Sequence, residues 1–254
     1  MELLGLKLVA FLLIFVAGVA GGLLPLWLGN KSYRERMTTL GLGFTSGIFL
    51  GAGILHMLPE SQDHFAELGS DVHVYAVLFV ALGFMLVLFL EKVLITVDDD
   101  DVVVTAGVSA YVLIFVLSVH SVITGISMGL SSTAGQVLLL ILVISLHKLF
   151  AAFAVGMSFL SAEFSRKRYV TLLLFFALMA PLGIILGSVA ASRLDTSLTL
   201  RGEAIFDALA AGTFIYIATI DNMPKAFCCR EDRWMNFGAL CLGFGWMAML
   251  LLAE

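Results

Sequence analysis

Apolar residues run along this 254-residue chain in long, nearly unbroken stretches separated by short polar connections. A helix that crosses the hydrocarbon core of a bilayer needs about 20 predominantly apolar residues. Eight segments reach that length: 4–28, 38–59, 74–95, 103–130, 135–161, 169–192, 204–223 and 234–252. No connection is long enough to hold a separate soluble domain, and a ninth span has nowhere to fit. The pattern predicts an all-α membrane protein: one polytopic domain over residues 1–254 with eight transmembrane helices. The first apolar run, from Leu3 to Leu28, is too long for a signal-peptide core and no small-residue cleavage site ends it, so it reads as a retained span.

Composition narrows the class further. The chain is 61% hydrophobic and 13% charged, against about 25% charged in soluble domains. So large an apolar excess excludes a soluble enzyme. The net charge of −5 gives no reason to expect nucleic acid as a partner. Three cysteines, Cys228, Cys229 and Cys241, form no spaced disulfide framework. Basic residues set the orientation, because they concentrate in cytoplasmic loops. Lys31, Arg34, Arg36, Lys92, Arg166, Lys167, Arg168, Lys225, Arg230 and Arg233 fall on one side, and Lys7, Arg193 and Arg201 on the other. This multi-pass chain therefore places both termini outside the cytoplasm, with a plasma or inner membrane as its expected setting.

The second and seventh spans share a pattern at a constant offset. Gly47, Phe49 and Pro59 fall over Gly212, Phe214 and Pro224, with polar His56 over Asp221. The two spans run in opposite directions in the topology above. That is the signature of an inverted repeat, which secondary transporters use to build alternating gates around one central site. On this reading His56 and Glu60 stand at the outer mouth and Asp221 at the inner one.

Polar residues inside spans are costly and usually face the bundle interior or water. The fourth span carries Ser118, His120, Ser121 and Thr124; the fifth carries Ser145, His147 and Lys148. His120 and Thr124 lie four apart, on one helix face. Counted from the turn near Ser131–Gln136, each histidine lies about 16 Å deep, halfway through a core of about 30 Å. Two imidazoles at one depth on neighbouring helices suit a divalent metal, since neutral imidazole binds Zn, Cu, Fe and Ni. Gly125, Gly129, Ala152 and Gly156 offer small faces for close approach of these two helices. Lys148 needs a carboxylate, carbonyl or water partner that the sequence does not name. It stands either in a neighbouring subsite, repelling a second cation, or in an interhelical contact.

At these residues the chain resembles the ZIP (ZRT/IRT-like protein) family of divalent-metal transporters. The matching elements are His120-Ser121-x-x-x-Gly125-x-x-x-Gly129 in the fourth span and His147-Lys148-x-x-x-Ala152-Phe153-x-x-Gly156 in the fifth. His56-x-x-Pro59-Glu60 and Gly212-Thr213-Phe214-Ile215-Tyr216 match as well. The resemblance implies a 3+2+3 inverted-repeat bundle, a homodimer, and an elevator-like or rocking motion. It implies that His120, Ser121 and His147 line the transport site, that His56, Glu60 and Asp63 form the entrance path, and that Asp221 belongs to the exit path, with Glu91 a weaker exit candidate. The His-Lys pair resembles the branch in which Lys replaces a second-site ligand.

Thr124 departs from the resemblance, for the family usually has Glu or Asp there. A hydroxyl lends a lone pair where a carboxylate lends charge. The run Asp98–Asp101 replaces the often His-rich loop and reads as a solvated acidic turn. His64, His73, Asp63, Glu67 and Asp71 read as solvated loop residues before they read as metal collectors. Asp207, near the outer start of the seventh span, has no partner that the sequence identifies. The expected function is secondary transport of a divalent transition metal towards the cytoplasm: zinc foremost, with Fe, Mn and Cd as further candidates. The metal is cargo rather than cofactor. The alternative is a metal-binding sensor in which Thr124 has abolished transport. An enzyme is not expected, since an intramembrane metal-water site wants a carboxylate base, and the fourth and fifth spans carry none before Glu163.

Overall fold

The computed structural model describes residues 2–27, 31–69, 73–94, 102–131, 133–190, 196–228 and 232–251, which are helical almost throughout. The elements are α1 (Glu2–Trp27), α2 (Lys31–Gly51), α3 (Leu58–Leu68), α4 (His73–Phe89), α5 (Val102–Leu130), α6 (Ala134–Ser161), α7 (Arg166–Ala190), α8 (Thr196–Tyr216), α9 (Met223–Ala226) and α10 (Arg233–Leu251). No strand occurs among the described residues. Helices suit the solvent, because in hydrocarbon each backbone N–H and C=O needs a partner and a helix supplies them all within its own segment. Leu8, Val77, Phe115, Phe175, Val189 and Leu242 are all exposed. So wide an apolar surface fits lipid and would aggregate in water.

Seven helical stretches among the described residues are long and apolar enough to span a membrane, and they match the first seven expected spans. The expected second span is longer than the sequence indicates, running over Arg36–Leu68 through α2 and α3. The eighth corresponds to α10, 19 residues long, whose first turn carries Arg233 and Asn236.

The helices pack as two bundles. In one, α1 lies along α6 and α7 along α5; in the other, α2 lies along α10 and α4 along α8. Glycines make these contacts close. Gly47 sits against the Leu240 carbonyl and Gly243 against that of Phe44; in the same way Gly212 sits against Val80 and Gly83 against Leu209. A methyl at any of these positions would run into backbone. Gly18 and Gly22 of α1 repeat in α7 as Gly183 and Gly187, again at helix contacts. One expectation needs correction here. Gly125 and Gly129 press on α7, at Ala180 and Ile184, while Gly156 presses on α1 at Gly22 and Pro25. The small faces therefore seal α5 to α7 and α6 to α1, rather than α5 to α6.

The two bundles meet along a seam where α2 touches α6 and α5 touches α8. Phe150 of α6 anchors it, with ring centroids 5.6 Å from Phe44 and 4.8 Å from Trp246.

The offset pattern of the sequence has a matching local structure. Ala52–Met57 and Ile217–Asn222 are both π-helical, and each leads into a proline. Pro59 and Pro224 have no N–H, so the α-ladder cannot continue through them. The preceding turn widens instead: the Leu58 N–H reaches the Gly53 carbonyl and the Met223 N–H reaches that of Ala218. Such wide turns are rare and occur frequently at functional sites. His56 and Asp221 sit at equivalent positions within them.

A candidate metal site at the seam

Four elements from the two bundles supply the polar groups of the seam. His120, Ser121 and Thr124 come from α5 and His147 and Lys148 from α6; His56 comes from the first π-turn and Asp207 from α8. His56, His120, Ser121, Thr124, His147 and Lys148 line one narrow cavity of about 30 Å³, room for a water or a bare ion. The His120 and His147 rings lie with centroids 6.3 Å apart, and those of His56 and His147 5.6 Å apart. The two mid-span histidines therefore do face a common space, as their depth predicted. His56 was expected at the outer mouth. Because the helix continues through α3 to Leu68, it lies inside the span and lines the cavity instead, with Glu60 Oε2 3.7 Å from its Nε2. Among the described residues, no three His, Cys, Asp or Glu side chains close on a point as a finished metal cage. The cavity gathers the donors without locking them.

Thr124 does two things. Its hydroxyl donates to the His120 backbone oxygen at 2.8 Å, and its Oγ1 lies 3.3 Å from His120 Nε2. On the other side of the ring, Nδ1 is 3.2 Å from Asp207 Oδ1. Asp207 is a residue that the sequence leaves without a partner and the structure places against His120. It is 3% exposed, and its second oxygen, Oδ2, is 3.8 Å from His64 Nδ1. The only signal was the residue itself, a carboxylate in an apolar helix.

Lys148 has its missing partners. Its Nζ donates to Ser121 Oγ at 2.7 Å and to the Phe176 carbonyl at 3.3 Å, and it lies 3.5 Å from the Phe176 ring centroid. An ammonium over an aromatic face gains from the ring quadrupole, more so when desolvated. The lysine thus occupies an interhelical contact with α5 and α7, and it also lines the cavity. Of the two readings left open by the sequence, the interhelical contact is the one these distances describe.

At the opposite end of the bundle, Asp221 Oδ1 pairs with Lys225 Nζ, and Glu91 accepts from Ser109 at 3.2 Å and pairs with Lys92 at 2.9 Å. Both carboxylates are buried. Asp63 is exposed on α3 and stands apart from the cavity lining. Met128 and Met157 are fully buried core residues. Asp71, Asp98–Asp101, Arg193, Cys229 and Arg230, and the side chain of His73, lie outside the described residues.

Three relatives bear on this arrangement. A family model described as ZIP Zinc transporter matches residues 4–99 and 96–251. Zinc transporter ZIP2 of Mus musculus is 27% identical over 306 residues, which cover 98% of each chain. Zinc transporter ZIP1 of Homo sapiens is 25% identical over 299 residues, 99% of this chain and 92% of its own. Zinc transporter 3 of Oryza sativa subsp. japonica is 33% identical over a shorter stretch of 140 residues, 52% of this chain.

Proposed function

We propose, from the premise that this chain belongs to the ZIP zinc transporter family, that it carries a divalent transition metal, zinc foremost, through the membrane towards the cytoplasm. The observation that supports this most is the seam cavity, where imidazoles from both bundles face one ion-sized space. A site between two bodies is accessible to either compartment in turn when one body shifts against the other. The glycine contacts concentrate close packing within each bundle, so each is built to move as a unit.

On this reading the chain forms one eight-helix, 3+2+3 transmembrane unit with both termini outside the cytoplasm, and it works as a homodimer. Glu60 and Asp63 flank the way in. His56, His120 and His147 hold the ion, assisted by Ser121 and Thr124. Asp221 and Glu91 stand on the way out, each beside a lysine that a departing cation must displace. Lys148, held by Ser121 and the Phe176 carbonyl, takes up the place where a carboxylate or imidazole would be needed to hold a second ion. Fe, Mn and Cd are the other candidate cargoes. The relatives' names favour carriage over the sensor alternative.

The test is uptake by proteoliposomes containing wild-type protein or His147→Ala, offered Zn, Fe, Mn and Cd separately. Zinc uptake by the wild type and its loss in the variant are expected. Equal uptake by both would defeat the proposal.

A further inference from the structure

Resting on the carrier reading, we infer that Asp207 is a positioning residue of the transport site, supplied by the opposite bundle. Asp207 belongs to α8 and His120 to α5, and the two meet across the seam at 3.2 Å. An ionised carboxylate can only accept. A neutral His120 ring held against it therefore carries its proton on Nδ1 and keeps the Nε2 lone pair free. Nε2 is the nitrogen on the Thr124 side, 3.3 Å from Oγ1, and both residues line the cavity. The Thr124 hydroxyl proton is directed to the His120 carbonyl at 2.8 Å, so it does not take up that lone pair. A metal-binding histidine with a carboxylate behind it is fixed in tautomer and ring plane and is a more basic ligand.

The partners' membership of different bundles adds a consequence. Each other polar contact of His120 described above lies within α5 itself. The Asp207 contact is a hydrogen-bond-length tie from the ring to the second bundle, and a slide of one bundle past the other breaks that tie. His120 is then a strong ligand in the position seen here and a weaker one after displacement. Affinity falls as the cargo is moved, which favours release at the far side. The second oxygen of Asp207 lies 3.8 Å from His64 Nδ1.

The experiment is a double-mutant cycle on zinc affinity, measured with full-length protein in detergent micelles by competition with a chromophoric chelator. Asp207→Asn keeps size and shape, but its NH₂ can donate to Nδ1 and so favours the opposite tautomer. It is expected to weaken zinc binding by about 10–100-fold. Asp207→Glu is expected to recover part of that loss. In a His120→Ala background, Asp207→Asn is expected to change the Kd by less than about twofold, because coupled residues are not additive. An equal loss in both backgrounds, or no loss in either, would overturn the assignment. Wild-type zinc uptake in proteoliposomes is scored separately. If uptake stands and the cycle is additive, only the role of Asp207 fails. If the wild type takes up no zinc, the carrier reading fails.

Discussion

Removing the His147 imidazole is the sharpest perturbation of the seam. With Zn–N bonds of about 2.0–2.1 Å, the centroid of a ligating ring stands about 3.2 Å from the ion. Two rings can therefore share one ion only when their centroids are within about 6.4 Å of each other. The observed separations of 5.6 Å for His56–His147 and 6.3 Å for His120–His147 both satisfy that limit. They correspond to N–Zn–N angles of about 120° and about 160°, so the first pair needs little adjustment towards a tetrahedral ion and the second needs its rings to swing inward. His147 is common to both pairs. His147→Ala removes the shared ligand and is expected to raise the zinc Kd by about 100-fold, equivalent to roughly 2.7 kcal/mol. His56→Ala leaves the His120–His147 pair intact and is expected to cost about tenfold, roughly 1.4 kcal/mol. Calorimetric titration of the purified variants measures both constants. The geometric reasoning is refuted if the two variants lose affinity equally, or if His147→Ala stays within threefold of wild type.

Other consequences are open to simpler assays. Thr124→Glu puts a carboxylate beside His120 Nε2 and is expected to lower the KM for zinc uptake by at least about threefold; an unchanged KM contradicts a ligand position there. Gly47→Ala and Gly212→Ala each drive a methyl into a facing backbone carbonyl and are expected to cost about 1–3 kcal/mol, read as a lower thermal midpoint in detergent. Gly245→Ala, with open space around it, is expected to hold or raise that midpoint by virtue of better helix propensity. Ser61→Ala removes a buried bond from Ser61 Oγ to the Ala204 carbonyl at 2.6 Å and is expected to destabilise by about 1–3 kcal/mol on the same scale. Asp221→Asn is expected to cut maximal uptake several-fold while leaving the KM near wild type, because it touches departure and not capture; a raised KM with full maximal uptake would move Asp221 to the capture side.

Much of this molecule is legible from the chain because lipid imposes simple rules. Span length and the run of apolar residues locate most of the expected helices to within a few residues, the second excepted, which runs on to Leu68. The matched depth of His120 and His147 survives because helical rise is constant, so counting residues is measuring distance. The limit is reached where position depends on rotation or on a distant partner. His56 is counted near an end of its helix, yet the helix runs on past Pro59 through α3 to Leu68, which leaves His56 in its interior. The small faces around Gly125 and Gly156 are visible as patterns, but a pattern does not say which neighbour it meets. Asp207 and His120 are 87 residues apart, and no local spacing links them. Lys148 likewise solves its burial with a hydroxyl and a carbonyl from two other helices, groups so common that the sequence cannot single them out.

The paired wide turns also act as phase-setters. A π-turn holds one residue more than an α-turn, and one residue on a helix is about 100° of rotation. Everything beyond Met57, including Glu60 and His64, is thereby turned by that angle relative to an unbroken helix through Thr45 and Phe49; everything beyond Asn222 is turned likewise relative to Asp207. Deleting a single residue between Ala52 and Met57 would take out the extra residue and swing the far portion of that helix a quarter-turn or more off its heading. A one-codon shortening at either turn is thus a dial on which direction the gate residues face, with scarcely any change in how oily or how long the rod is.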